Sequence, residues 1–140
     1  MRKLFIPLLL AVLAAGSVGA ADLSAVLGGE VALRMTARSF SQELAANDPR
    51  VARTRTLLDQ AVQLTHEEPI TIEAACSRYV GHLFDSAHIA ATPLELLEAL
   101  AGFGQVGQPM NETLQAYASA RRAAPAKSHT EAMAALRQQK

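Results

Sequence analysis

The 140-residue sequence has no tryptophan, a single cysteine, 4% aromatic residues and a formal net charge of zero. Each shortage excludes something. One cysteine permits no internal disulfide, so a stapled miniprotein is ruled out and any fold must rest on packing. Balanced charge with few aromatics excludes a nucleic-acid binder that works by bulk positive charge. No CxxC, HExxH or calcium-loop spacing occurs, and no G-x-S-x-G elbow. Alternating apolar and polar runs of strand type do not persist. Beyond the N-terminus no stretch nears the ~20 apolar residues of a membrane span.

Alanine and apolar residues, by contrast, are plentiful. Alanine fills 28 positions and apolar residues make up 50% of the chain. Alanine is the best helix former, so the composition points to an all-α fold and away from a disordered tail.

The N-terminus reads as an export leader. Arg2 and Lys3 precede the uncharged, almost wholly apolar stretch Leu4 to Ala15, and a small-residue patch runs from Gly16 to Ala21. Twelve apolar residues rise about 18 Å as a helix, too short for a hydrocarbon core of about 30 Å. Val18 and Ala20 suit the small-residue pockets of a signal peptidase, which places cleavage between Ala20 and Ala21. The expected product is periplasmic or secreted, with no membrane span. It keeps 11 cations against 13 acids, a net charge of −2. The expected organisation is a signal peptide over 1–20, a helical domain over 21–124, and a short helix or frayed tail over 125–140.

Periodicity and punctuation predict a bundle of four to six helices. Val26, Leu33, Ala37, Phe40 and Leu44 trace one stripe from Asp22 to Ala46, with Gly28-Gly29 bending it or delaying its start. Glu30 and Arg34 are spaced to pair on its outer side. Asn47-Asp48-Pro49 stops it and opens a second helix to about Leu64, burying Val51, Leu58, Ala61 and Val62. Thr71 is placed to cap a third helix, from Ile72 to about His88. At 100° per residue its Ile72, Cys76, Tyr79, Val80, Leu83 and Ala87 share one arc, with His82, Asp85 and His88 on the other half. Thr92-Pro93-Leu94-Glu95 is a capping box opening a fourth helix through Phe103. Asn111 is placed to cap a fifth helix with Leu114, Tyr117 and Ala118, and Ser128-His129-Thr130-Glu131 opens a loosely held tail helix with Met133 and Leu136.

Candidate chemistry is thin. Cys76, His82 and Asp85 supply the residue types of a nucleophile, base and orienting acid, but Cys76 faces the core side and Asp85 points 180° away. His82 and His88 stand about 240° apart around their helix and cannot share an ion. Glu67-Glu68 is an adjacent carboxylate pair with no control of separation. Gly102-Phe103-Gly104-Gln105-Val106-Gly107 follows a helix instead of a strand, so it reads as a connector, not a phosphate cradle. Its glycines let a partner approach the backbone. Arg50, Arg53 and Arg55 read as a solvated face, with Arg55 placed to pair with Asp59. No catalytic residue, cofactor or metal site is expected. The residues marked as partner or ligand contacts are Tyr79, His82, Asp85, Gly104 and Gln105.

The segment Cys76-Ser77-Arg78-Tyr79-Val80-Gly81-His82-Leu83-Phe84-Asp85, read as C-x-x-Y-V-x-x-x-x-D on a helix behind a signal peptide, resembles a known family. It is similar to the core helix of small periplasmic immunity proteins that neutralise peptidoglycan-amidase effectors of type VI secretion. His82 stands where that pattern has glycine, and the family's further cysteines are absent. The resemblance implies an all-helical, non-enzymatic protein, often a homodimer, that plugs an effector's active-site cleft. The expected function is therefore binding of another envelope protein. The alternatives are a periplasmic small-ligand or metal carrier using Cys76, His82 or Tyr79, and an accessory subunit of a secretion, conjugation or envelope-stress system.

Overall fold

Three prolines open three helices. Pro49, Pro69 and Pro93 each sit at the first helical position, where the missing N–H costs nothing and the fixed φ is already helical. The computed structural model describes residues 20–139, and the expected signal peptide lies outside them except for Ala20. Six helices follow in order: α1 (Ala20–Phe40), α2 (Pro49–Thr65), α3 (Pro69–Ala87), α4 (Pro93–Phe103), α5 (Met110–Ala123) and α6 (His129–Gln138). The described residues contain no strand, so the chain is an all-α bundle. Among the described residues no helix is long and apolar enough to cross a membrane.

The start signals act through specific hydrogen bonds. Asp48 accepts from Arg50 N–H at 2.9 Å, and Thr92–Glu95 and Ser128–Glu131 form reciprocal capping boxes. Two expected starts are corrected. The third helix begins at Pro69 with Glu68 as N-cap, so Thr71 lies inside its first turn. The fifth begins at Met110 behind Pro109, so Asn111 does not cap it. In both cases proline already sets the entry conformation, and a side-chain cap is not required.

The largest correction concerns α1. It ends at Phe40, not Ala46, and continues through Gly28-Gly29. Val26 and Phe40 are exposed and Leu33 and Leu44 only half-buried, whereas Val31, Ala32, Met35 and Thr36 are sealed in the core. The buried face uses small residues because α2 lies close. Thr36 Oγ1 meets Thr54 Oγ1 of α2 at 2.7 Å. A Cβ on Gly28 would come within 2.9 Å of Arg55 Cζ, and Arg55 donates to the Ala25 carbonyl at 2.8 Å. Large outward side chains on α1 thus imitate a core stripe, while the true one runs through Gly28, Val31, Ala32, Met35 and Thr36. Arg34 also departs from expectation. It forms a two-point pair with Glu73 of α3, at 2.8 and 3.1 Å, instead of pairing with Glu30.

α4 is the hub. It touches all five other helices and buries Leu94, Leu96, Leu97, Ala99 and Leu100 around its girth. Of the two alternatives for residues 125–140 the chain forms the short helix: α6 packs on α5 and α4, burying Ala132 and Leu136.

Candidate functional site

Three polar or apolar features stand out, and their geometry separates structure from function. The first is a chain of charged and hydroxyl groups joining α2, α4, α5 and α6. Arg121 donates to Glu95 Oε2 and to Tyr117 Oη, each at 2.7 Å, and to the Lys127 carbonyl. Tyr117 Oη lies 2.8 Å from His129 Nδ1, and His129 Nε2 lies 2.7 Å from Glu98 Oε2. Arg53 closes the chain on Glu98 at 3.1 Å. Glu98–His129–Tyr117 is thus a carboxylate, imidazole and hydroxyl in line, the arrangement that activates a nucleophile in hydrolases. Here the hydroxyl is sealed. Tyr117 is fully buried, and burial pushes its pKa up to about 12, so the oxygen is neither approachable nor ionised. The chain works as a clasp for α6 against α4 and α5. Neither Arg121 nor His129 was marked in the sequence; Arg121 sits one turn beyond Tyr117, on the face that carries Leu114 and Ala118.

Acid should loosen this clasp. The hydrogen bond from His129 holds the Glu98 carboxyl below the ordinary glutamate range, with the charges of His129 and Arg53 adding to it. A carboxyl depressed in the folded state stabilises the fold above its unfolded pKa and loses that contribution as pH falls through the folded one. The unfolding free energy of Glu98→Gln is therefore expected to fall less steeply than wild type as pH drops below the ordinary carboxylate range, measured by urea titration at stepped pH.

The second feature is the set of residues marked from sequence. Tyr79 and His82 do come together, edge to face at 6.5 Å, in a shallow hollow with Arg78 and Gln115. Tyr79 Oη donates to the Asn111 carbonyl at 3.3 Å, and Arg122 lies 3.1 Å from His82 Nε2. Asp85 is exposed one turn further along α3, outside that hollow. Gly104 and Gln105 lie elsewhere. Gln105 lines a different hollow with Phe103 and Gln108. Gly104 ends α4, and a Cβ there would stand 2.6 Å from the Leu100 carbonyl oxygen. Its glycine answers a packing demand. Gly104→Ala should lower stability by about 1–2 kcal/mol, as overpacking against a fixed neighbour does, read by urea denaturation.

Cys76 is fully buried, and desolvation, with the nearby Glu73 charge, pushes its thiol up to about 12. A neutral, enclosed thiol is neither nucleophile nor metal ligand. Among the described residues no three His, Cys, Asp or Glu side chains converge as a metal site. A hollow beside the start of α4, lined by Arg38, Ser77 and Thr92, is not an anion cradle. The nearby Leu94 and Glu95 N–H groups already donate to Ser39 and Thr92.

The third feature is an open groove of about 390 Å³ between the first turns of α1 and the start of α3. Leu23, Leu27, Val31, Pro69 and Ile70 form its apolar surface, and Glu30, Arg34 and Glu68 its polar rim. Leu23, Leu27 and Ile70 are 53%, 46% and 58% exposed, far more than large aliphatic side chains in a packed helix pair. Positions 23, 27, 30, 31 and 34 fall within about 100° on α1, so the groove is one continuous helical stripe. Sequence periodicity missed it because Leu23 and Leu27 sit off the stripe traced by Val26, Leu33 and Phe40.

Comparison with family models, curated proteins and solved structures finds no match to this chain.

Proposed function

We propose that this is an exported, non-enzymatic helical protein that works by binding another protein of the cell envelope. The observation that carries the reading is the cluster of exposed Leu23, Leu27 and Ile70 around one groove. An apolar hollow rimmed by charge is the form a protein-docking surface takes. The leader-like N-terminus supports the envelope as the place of action. The burial of Tyr117 and Cys76 supports recognition over catalysis, since the two most nucleophile-like groups are shut away. An immunity-type inhibitor is the sharpest version, and a homodimer is compatible with it.

The test is capture from periplasmic extract with the mature chain and with a Leu27→Asp/Ile70→Asp variant of matching helical content. The reading expects a stoichiometric partner held by the wild type and lost by the variant. Capture of nothing by either contradicts the binding function. A partner held equally by both contradicts the groove but not the function.

A further inference from the structure

The groove's rim says what kind of segment it takes. Glu68 occupies the N-cap of α3, a position where Ser, Thr, Asp or Asn normally accepts a hydrogen bond from the first turn. Asp48, Thr92 and Ser128 do so at their helices. Glu68 does not: its side chain makes no capping bond, and it borders the groove. Glu30 stands four residues before Arg34, the spacing of a helix ion pair. Arg34 is instead taken up at two points by Glu73. Among the described residues neither Glu30 nor Glu68 makes a hydrogen bond or a salt bridge, Glu30 acting on Arg34 only through its charge, and both are exposed. Arg34, the one cation among the described rim residues, has its charge matched, so the described rim is net acidic around an aliphatic floor.

From this charge pattern we infer that the groove binds an amphipathic helix of a partner protein that presents aliphatic anchors flanked by lysine or arginine. This deepens the function proposed above and rests on it. The groove follows α1 from Leu23 to Arg34, about three turns or 16 Å, which suits a short helix laid alongside with anchors at i, i+4 and i+7. The far side of α1 is pinned to α2 by Arg55, through the Ala25 carbonyl and Asp59, so one wall of the groove is held before a partner arrives. An acidic rim also repels anionic lipid, which sets a peptide apart from a membrane surface as the occupant.

Two synthetic 18-residue helical peptides test this. Both carry Leu at the anchor positions; one is flanked by two Lys, the other by two Glu. Binding to the mature chain is read by fluorescence anisotropy, with the site mapped by amide shifts at Leu27 and Ile70. The Lys peptide should bind at least roughly tenfold tighter than the Glu peptide, from two rim charge pairs, and the preference should shrink as salt is raised. Glu30→Lys/Glu68→Lys should reverse the order. Leu27→Asp should lose both peptides with helical content retained. Equal affinity for the two peptides, or an order unmoved by the charge reversal, overturns the inference. So does stronger binding to vesicles of anionic phospholipid than to the Lys peptide. A concentration-dependent dimer abolished by Leu27→Asp would assign the groove to a second copy and overturn it as well. The envelope-partner reading survives each of these outcomes and fails only if extract capture yields nothing.

Discussion

Glu95→Ala is expected to lower the unfolding free energy by about 3–5 kcal/mol, the cost of leaving a buried charge without its partner. One carboxylate serves two ends. Its Oε1 accepts from Thr92 N–H at 3.0 Å and completes the capping box of α4, while its Oε2 accepts from Arg121 at 2.7 Å. Arg121 has only 8% of its side chain exposed. Without Glu95 the guanidinium keeps only neutral acceptors, Tyr117 Oη and the Lys127 carbonyl, in a setting that water scarcely reaches. Glu95→Gln should fall between wild type and alanine, because the amide oxygen can still accept from Thr92 while the charge is lost. Adding Arg121→Met to Glu95→Ala should recover part of the loss, since the stranded cation goes with it. Equilibrium urea unfolding of the four proteins reads the series. A loss below about 1 kcal/mol for Glu95→Ala would show the pair to be solvated and the clasp to be decorative.

Leu97→Ala should be nearly as severe, at about 3–5 kcal/mol, the range for aliphatic truncation in a core that cannot collapse. Leu97 is fully buried on α4, which touches all five other helices. A cavity there is walled from several directions, and no single helix can shift to fill it without losing contacts elsewhere. Leu57→Ala, on a half-buried side chain of α2, is the control and should cost about 1 kcal/mol. With domain stabilities of about 5–15 kcal/mol, the α4 substitution removes a large share of the whole. Equal losses at Leu57 and Leu97 would contradict the hub role of α4.

Much of this fold was legible because its helices announce their starts. Pro49 behind Asp48, and the Thr92 and Ser128 capping boxes, are local chemistry that neighbours in space do not overrule. The arc on α3 held as well: Ile72, Cys76 and Leu83 are buried while His82, Asp85 and His88 face solvent. The α1 stripe failed because Val31 and Met35 share the buried face with residues that carry little hydropathy signal. Gly28, Ala32 and Thr36 are buried for their small size and for the Thr36–Thr54 hydroxyl pair, while larger aliphatics were left outside. The clasp was invisible for a related reason. Buried Arg121 and half-buried Glu95 and His129 come from three helices, and only the tertiary arrangement makes the burial of the Arg121 charge tolerable. The groove was missed in the same way: Leu23 and Ile70 are 47 residues apart, and nothing local shows that neither is covered.

The central claim is that a partner sits in the groove between α1 and α3. A photo-crosslinking amino acid placed in turn at Leu27, Ile70 and the exposed Ala134 of the full chain, in cells producing it, tests this most directly. The account predicts one discrete adduct in the envelope fraction from positions 27 and 70 and none from 134. No adduct at 27 or 70, or the same adduct from all three positions, would contradict it.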